Sequence, residues 1–474
     1  MERDAPEEYD NIWFKSVEVE ALYDRIDFEI HFNPDLNVIY GKNGRGKTTL
    51  LHILANLTEL DFARFENLTF KRIVVSNNKD DKIEITKPDG NISVVANGSQ
   101  TSVTGGETSL TQSEQDYLRT IIGERSTYLP AFRSVLESTK EYKYYHYEEF
   151  KHPQFDEIRE HELEAVRRRR TATYTGRFSE EANESALKTI RCRSWFGKFV
   201  PIIRYPSISD VIRGLSEEWK NAQISMNRRE QSLFEEAFLK IFAAIASGEI
   251  DSKASNQQDI LERIQELLSS EDPGRIERPR ASTYDQLVDL AGKVGETDTK
   301  YNSVLEIYRE ILEERKKARE AALRPLNEFQ ASVNKFLDQK KLKIGMRNVE
   351  RPVRQRPSSS YVLVESDAGR PYHLTALSSG ERQIATMLYS ASRTKFHSGA
   401  FLIDEPELSL HIDWQRLILS EIQQQYPERQ IIACTHSPEV GADHPSAIHH
   451  FEPRSTPPDI GDFDLDDLLG DEDL

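Results

Sequence analysis

The sequence predicts an α/β fold, a mixed sheet with an antiparallel lobe, that carries a mainly helical insertion. Near its start, the apolar run Leu36–Tyr40 leads into a glycine-rich loop and then into a helical segment at 49–55. Near its end, the fully apolar segments 400–403 and 431–434 alternate with helical patterns, as buried parallel strands do. Between these parts, residues 134–345 show the charged, 3.6-residue periodicity of surface helices.

The first 135 residues are predicted to form the N-terminal half of the α/β part. Partly alternating strands precede the loop, and further strands after the loop helix should build the antiparallel lobe. The Gly/Ser/Thr-rich residues 98–113 are expected to form a loop. The predicted strands are 12–20, 25–32, 36–40, 68–75, 82–86, 92–95 and a short one within 126–133 that ends at Pro130.

Residues 136–345 are predicted to be the helical insertion, with apolar faces at 233–245, 260–268 and 304–312. Pro325 should kink or restart the last of these helices. Residues 346–452 are predicted to complete the α/β part, and the acidic residues 453–474 to be a disordered tail. Within 346–452 we expect strands at 361–364, 372–374, 400–403 and 431–434, and helices from Ile384 and Trp414.

The glycine-rich loop fits the phosphate-binding pattern of Gly, four residues, then Gly-Lys-Thr. Glycines let several backbone N–H groups converge on one anion at a helix N-terminus. Lys47 is expected to reach the β- and γ-phosphates of ATP, and the Thr48 hydroxyl to ligate Mg²⁺. The predicted phosphate-binding residues are Gly41, Asn43, Gly44, Gly46, Lys47, Thr48 and Thr49.

The apolar strand that ends in Asp404 and Glu405 supplies the other groups that phosphoryl transfer requires. Parallel strands present their C-terminal residues at the sheet edge where the phosphate loop opens. Asp404 is expected to hold Mg²⁺, and Glu405 to polarise the attacking water. His436 follows the next apolar strand, where its imidazole could hydrogen-bond the γ-phosphate or that water.

These motifs, together with Leu377-Ser378-Ser379-Gly380-Glu381, resemble those of the ABC-type ATPases, within the RecF/SMC/OLD-like branch. The resemblance implies an ABC-ATPase head in which Ser378, Ser379, Gly380 and Glu381 contact the nucleotide of a second subunit. It also places residues 409–411 in the D-loop at the dimer interface. The Q-loop glutamine of the family is not evident; Arg133 lies near its expected place, and its role is left open.

The spacing of the motifs separates this chain from several ABC classes. Lys47 and Ser378 are 331 positions apart (378 − 47), more than a transporter domain needs, and no long heptad arms fill the gap. Only 38 residues (474 − 436) follow His436, too few for a Toprim nuclease. The architecture is similar to that of anti-phage ATPase subunits. The AriA ATPase of PARIS is the leading candidate, and the PtuA ATPase of Septu is the runner-up. That resemblance implies homo-oligomers, a separate Toprim or HNH nuclease effector, and a phage-encoded trigger.

Composition narrows the remaining alternatives. Net charge is −18, the N-terminus lacks a signal-peptide core, and no apolar run could span a bilayer, so we expect a cytoplasmic protein. Two cysteines, Cys192 and Cys434, are too few for a disulfide framework. The main alternative is a RecF-like, ATP-dependent DNA-binding repair protein. The basic stretch of Arg167–Arg170, Arg191, Arg193, Lys198 and Arg204 would be its phosphate-binding surface, or a surface for an acidic trigger protein. A solvated helix face paired with nearby glutamates is the interpretation we favour for this stretch.

Overall fold

A computed structural model of the chain describes residues 12–103, 110–133, 152–167, 175–247, 257–269, 299–346, 360–367, 369, 371–392 and 399–455. The chain divides into two compact units. The first unit comprises Met1–Ile208 and Leu377–Leu474, and the second comprises Ser209–Ala376. Residues 168–170 and residues 456–474 of the predicted tail lie outside the described residues. The prediction of a disordered tail from residue 453 is wrong for Arg454–Ser455, which form a short strand.

An antiparallel sheet forms one layer of the first unit. Its strands are β1 (Phe14–Leu22), β2 (Ile26–His31), β4 (Arg72–Asn77), β5 (Lys82–Thr86), β6 (Ile92–Ala96), β7 (Ser99–Val103) and β15 (Arg454–Ser455). They lie in the order β15-β2-β1-β4-β5-β6-β7. This confirms the predicted antiparallel lobe.

The expectation of a loop throughout 98–113 is wrong for β7, which pairs with β6 along its whole length. Asn97 and Gly98 connect the two strands with φ values of 48° and 83°. Asn-Gly with both residues at positive φ is the favoured two-residue hairpin turn, because its twist matches that of the flanking strands. A helix, α2 (Gln112–Ile122), also begins within the expected loop.

A parallel sheet forms the second layer, in the order β14-β3-β13-β12-β8. Its members are β3 (Leu36–Tyr40), β8 (Thr127–Leu129), β12 (Phe401–Asp404), β13 (Ile431–Thr435) and β14 (Ile448–His450). Every pairing within it is parallel. The C-terminal ends of these strands therefore lie along one edge, which is where the chemistry-bearing motifs begin.

Helix α1 (Lys47–Glu59) packs against β8, β12 and β13. All of its residues except Thr48 are buried, and its buried polar side chains include His52, Asn56 and Glu59, which have partners inside the protein. The first unit also contains α3 (Pro153–Arg167), α4 (Thr175–Phe196), α8 (Ser379–Ser392) and α9 (Ile412–Gln425). Helix α8 begins five residues before the predicted Ile384, because Ser378 and Glu381 cap its N-terminus.

The second unit contains most of α5 (Ile208–Ser247), together with α6 (Gln257–Ser269) and α7 (Thr299–Asn334). It also contains the antiparallel strands β9 (Lys340–Met346), β10 (Ser360–Ser366) and β11 (Tyr372–His373). Helix α7 continues through Pro325, so the predicted restart does not occur. Helices α6 and α7 share an apolar core of Ile260, Ile264, Leu267, Leu305 and Leu312.

The apolar face predicted over 233–245 of α5 is only partly buried. Leu233 and Ala237 are covered, whereas Phe234, Phe238 and Phe242 are each more than half exposed. The rings of Phe238 and Phe242 stack on each other. Periodicity predicted the helix correctly, but it did not show which part of the apolar face is covered.

Candidate active site

The phosphate-binding loop leaves β3 at Tyr40 and enters α1 at Lys47. Gly46 caps the helix with φ 98°, a conformation that residues with a side chain rarely adopt. At Gly41, a Cβ atom would lie 2.9 Å from the carbonyl oxygen of Phe451. Asn43 and Gly44 are exposed between them. The loop therefore has both the backbone freedom and the accessible N–H groups that phosphate binding requires.

The Lys47 side chain lies against its own loop. Its Nζ donates to the carbonyl oxygens of Gly41 at 2.6 Å and Lys42 at 2.9 Å. The Thr49 hydroxyl is bonded to the hydroxyl of Tyr23 at 3.0 Å. Thr49 thus connects the start of α1 to the turn between β1 and β2, and its role in phosphate binding stays a prediction.

Thr48 and Asp404 come together at the sheet edge. The Thr48 hydroxyl donates to Asp404 Oδ2 at 2.9 Å, although 356 positions separate the two residues. Asp404 is buried, and its Oδ1 has no hydrogen-bond partner within the described residues. Burial raises the pKa of this carboxyl to about 7, and the neighbouring Glu405 adds to the effect.

These two oxygen donors fit Mg²⁺, which binds through one or two protein oxygens while retaining waters and phosphate oxygens. The unpartnered Oδ1 of Asp404 is the acceptor that a cation would satisfy. A metal site made only of protein ligands would need more ligating side chains than these two. No group of three or more His, Cys, Asp or Glu side chains arranged to hold a metal occurs in the part of the chain that the structure describes.

Glu405 and His436 lie side by side at the ends of β12 and β13. His436 Nδ1 is 3.5 Å from Glu405 Oε1 and 3.1 Å from Glu407 Oε1. Glu405 has φ 46°, a left-handed conformation that is rare for a residue with a side chain. Its side chain remains about one quarter exposed, at 24%. A water molecule could therefore reach the carboxylate.

Glu407 positions the turn that carries His436, a role that the sequence did not predict. Its buried carboxylate Oε1 accepts hydrogen bonds from the Thr435 hydroxyl at 2.5 Å and from the backbone N–H groups of His436 at 3.0 Å and Ser437 at 3.2 Å. These bonds fix the turn after β13 and so the position of the His436 ring. The signal was available, since a third carboxylate stands two residues after Glu405.

The Leu377–Glu381 motif forms the N-terminus of α8. Ser378 Oγ and its backbone N–H both donate to Glu381 Oε2 at 2.9 Å, and the Glu381 backbone N–H donates back to Ser378 Oγ at 3.4 Å, a reciprocal capping arrangement. Ser378 and Ser379 are exposed, whereas Gly380 is buried. A Cβ on Gly380 would lie 2.6 Å from the carbonyl oxygen of Ser409, so the motif rests directly on the segment expected to be the D-loop.

Two arginines of the predicted basic surface, Arg193 and Arg204, lie inside the protein. Arg193 is buried, and its Nε donates to the carbonyl oxygen of Val200 at 3.0 Å. Arg204 is also enclosed, and its guanidinium is paired with Glu59 and Glu162. Both arginines are therefore structural, and the suggestion that they bind phosphate is wrong.

Cys192 and Cys434 are both free and buried. In the described ranges, none of the helices has the length and apolar character needed to cross a bilayer.

Comparison with known proteins gives one family match. The family described as "AAA ATPase domain" matches residues 15–440, most of the chain. No curated protein sequence matches it.

Similar solved structures include the Smc head domain with an extended coiled coil bound to the C-terminal domain of ScpA from Pyrococcus furiosus. It is 13% identical with a TM-score of 0.39, covering 94% of this chain and 96% of that one. The SmcHead bound to the C-winged helix domain of ScpA is 11% identical with a TM-score of 0.41, covering 94% and 98%. The Smc head domain with a coiled coil and joint from Pyrococcus yayanosii is 14% identical with a TM-score of 0.39, covering 94% and 97%.

Proposed function

The chain belongs to the AAA ATPase domain family and is an ATP-binding ATPase; on that premise, we propose that it works as a switch. Two subunits enclose ATP at two shared sites, and this closed state controls a separate nuclease or toxin effector in an anti-phage defence complex. Hydrolysis opens the pair and resets the switch. A phage-encoded protein is the trigger.

The residues at the carboxyl edge of the parallel sheet have distinct roles in this proposal. Lys47 and the loop N–H groups bind the phosphates. Thr48 and Asp404 hold Mg²⁺, which neutralises the charge that develops on the phosphate oxygens. Glu405 orients and polarises the attacking water, and His436 bonds the γ-phosphate. Glu407 holds the His436 ring in place through the contacts at its Oε1.

The observation that carries the proposal is the meeting of Thr48 with Asp404 beside the Glu405–His436 pair. A nucleotide-binding loop alone could serve binding without turnover. A buried metal-binding carboxylate next to a second, partly exposed carboxylate is the arrangement that water attack on a phosphate requires. The exposed Ser378 and Ser379 support the shared site, because they lie at the N-terminus of α8, where the helix dipole favours an anion that approaches from outside.

Two inactive variants test whether the site is shared. Lys47→Ala destroys phosphate binding in its own subunit, and Ser378→Arg blocks only the half-site that completes its partner's nucleotide. Mixing them leaves one intact composite site in each mixed dimer. With random pairing, the mixture should regain about one quarter of the wild-type ATPase rate.

A second mixture serves as the control. Lys47 and Glu405 act on the same nucleotide, so a mixed dimer of Lys47→Ala and Glu405→Gln has no intact site and should stay inactive. The proposal predicts recovery in the first mixture alone. No recovery in the first, with each variant folded, would show that each subunit completes its own site.

The effector is tested with Glu405→Gln, which should bind ATP, hydrolyse it very slowly and hold the closed dimer. We expect it to copurify in ATP with the product of an adjacent Toprim or HNH gene, and Lys47→Ala to lose that complex. The alternative of a DNA-binding repair protein predicts ATP-dependent duplex binding with a steep salt dependence instead. Burial of Arg193 and Arg204 removes two cations from the surface on which that alternative depended.

A further inference from the structure

Arg133 is a fully buried arginine at the active-site edge of the parallel sheet. It follows β8, and β8 pairs in parallel with β12 so that Leu129 lies opposite Ile403. The chain beyond Leu129 therefore runs alongside the chain beyond Ile403, which begins with Asp404 and Glu405. This places Arg133 beside the turn that carries the catalytic carboxylates.

The guanidinium of Arg133 binds the backbone of that turn and not a carboxylate. Its Nη1 donates to the carbonyl oxygen of Asp404 at 2.8 Å. Its Nη2 donates to the carbonyl oxygens of Glu405 at 2.8 Å and Pro406 at 3.1 Å. A further bond from Nη1 to the carbonyl oxygen of Pro130 at 3.1 Å ties the fork to its own strand end. Three successive carbonyl groups thus converge on one rigid donor.

This convergence explains how Glu405 can keep its unfavourable backbone conformation. A left-handed residue with a side chain costs about 1 kcal/mol or more, and it persists only where surrounding contacts hold it. The φ of 46° at Glu405 also sets the direction of its Cα–Cβ bond and so the direction of the carboxylate. With the turn held, Glu405 Oε1 lies 3.5 Å from His436 Nδ1.

We propose that Arg133 is a positioning residue for ATP hydrolysis, which holds the 404–406 turn so that the Glu405 carboxylate faces the attacking water. The inference rests on the proposed role of Glu405. It predicts that Arg133 affects turnover and leaves ATP affinity nearly unchanged, because its contacts are to the turn and not to the phosphate loop. Arginine is required because its planar fork supplies several donors in a fixed geometry, whereas lysine supplies one flexible ammonium.

The test compares Arg133→Lys and Arg133→Gln with wild type by kcat, KM for ATP and direct ATP binding. We expect kcat to fall about 100-fold while the Kd for ATP stays within about twofold, since a displaced catalytic group costs rate and not binding. Arg429→Lys is the matched control. Arg429 is buried and also donates to backbone carbonyls, those of Gly399 and Ala400, but at the opposite end of β12.

A double variant separates positioning from general damage. If Arg133 acts through Glu405, then adding Arg133→Lys to Glu405→Gln should lower kcat no further than Glu405→Gln alone. The proposal is overturned if a folded Arg133 variant keeps kcat within twofold of wild type, if Arg429→Lys lowers kcat equally, or if the two losses multiply. Loss of ATP binding in both Arg133 variants would also overturn it and assign Arg133 to the fold. If the proposed role of Glu405 is wrong, the result is different: Glu405→Gln then hydrolyses ATP at the normal rate.

Discussion

Replacing Arg204 with methionine should destabilise the first unit severely. Arg204 lies between two carboxylates that are each only 2% exposed, Glu59 at the end of α1 and Glu162 on α3. Its Nε donates to both oxygens of Glu162, at 3.0 and 3.1 Å, and its terminal nitrogens bond both residues. Arg204→Met removes the cation from this cluster and leaves two buried anions.

The expected cost follows from what remains. Removing one partner of a buried ion pair typically costs about 3–5 kcal/mol, because an uncompensated charge stays buried. Glu59 keeps a weaker pairing with Arg125 Nε at 3.6 Å. We therefore expect the lower end, a loss of about 3 kcal/mol in the free energy of unfolding. Replacing both carboxylates as well, by Glu59→Gln and Glu162→Gln together with Arg204→Met, should recover most of that loss, because neither buried anion then remains. Arg125, which is 13% exposed, loses only its weaker contact with Glu59.

Urea denaturation at pH 7, followed by circular dichroism, measures these differences. The control is Arg416→Met, because the Arg416–Glu439 pair has a similar contact, 2.6 Å, but its arginine is 53% exposed. That change should cost less than about 1 kcal/mol. If Arg204→Met costs no more than the exposed control, the cluster does not stabilise the fold as its burial implies. If the triple variant is less stable than Arg204→Met, the reasoning about buried charge is refuted.

Two further predictions concern pH and a close backbone contact. Burial raises the pKa of Glu59, but Arg204 and Arg125 outweigh it and hold the pKa at about 2, below the usual 4.5. The stability that this carboxylate contributes is present above pH 4.5 and falls as acid approaches pH 2, by about 1.4 kcal/mol at pH 3.5. Between pH 7 and pH 3.5, the free energy of unfolding of Glu59→Gln, measured by urea denaturation, should fall by about 1.4 kcal/mol less than that of the wild type. An equal fall in both proteins would contradict the assignment. Gly380→Ala places a Cβ 2.6 Å from the Ser409 carbonyl oxygen, so it should displace the motif from the D-loop segment. We expect the ATPase rate to fall about tenfold or more with ATP binding by a single subunit unchanged, and a normal rate would show that this contact can relax.

The sequence predicted those parts of the site that depend on strand order. Parallel pairing brings the ends of β3, β12 and β13 to one edge, so the meeting of Thr48 with Asp404 followed from recognising the strands. Apolar runs identify such strands well, because a strand buried on both faces has little tolerance for polar residues. The Asn97–Gly98 hairpin was also readable from its two turn residues, although the polar composition around it concealed the strand that follows.

Other features could not be predicted, because they depend on which charges become buried. Arg193 and Arg204 lie in a segment whose composition suggested a cationic surface, and composition does not show which arginine faces an interior carboxylate. The contacts of Arg133 are equally hidden, since its partners are backbone carbonyls 271 to 273 positions away and carry no side-chain signal. Sequence motifs locate the residues that react. The residues that position them can be identified only from the packing in the structure.

The parallel sheet also has a consequence for biosynthesis. Both strands that pair with β3 in the described structure, β13 and β14, lie almost 400 positions or more further along the sequence. Ile431 leaves the ribosome 391 positions after Tyr40 (431 − 40), a delay of roughly 20–80 s at synthesis rates of about 5–20 residues per second. During that time the apolar β3 has neither neighbour, whereas β1, β2, β4, β5 and β6 can pair as they emerge. A nascent chain therefore carries its phosphate loop long before it has the sheet edge that makes the loop useful, and ATP can stabilise this sheet only after β12 and β13 have been synthesised.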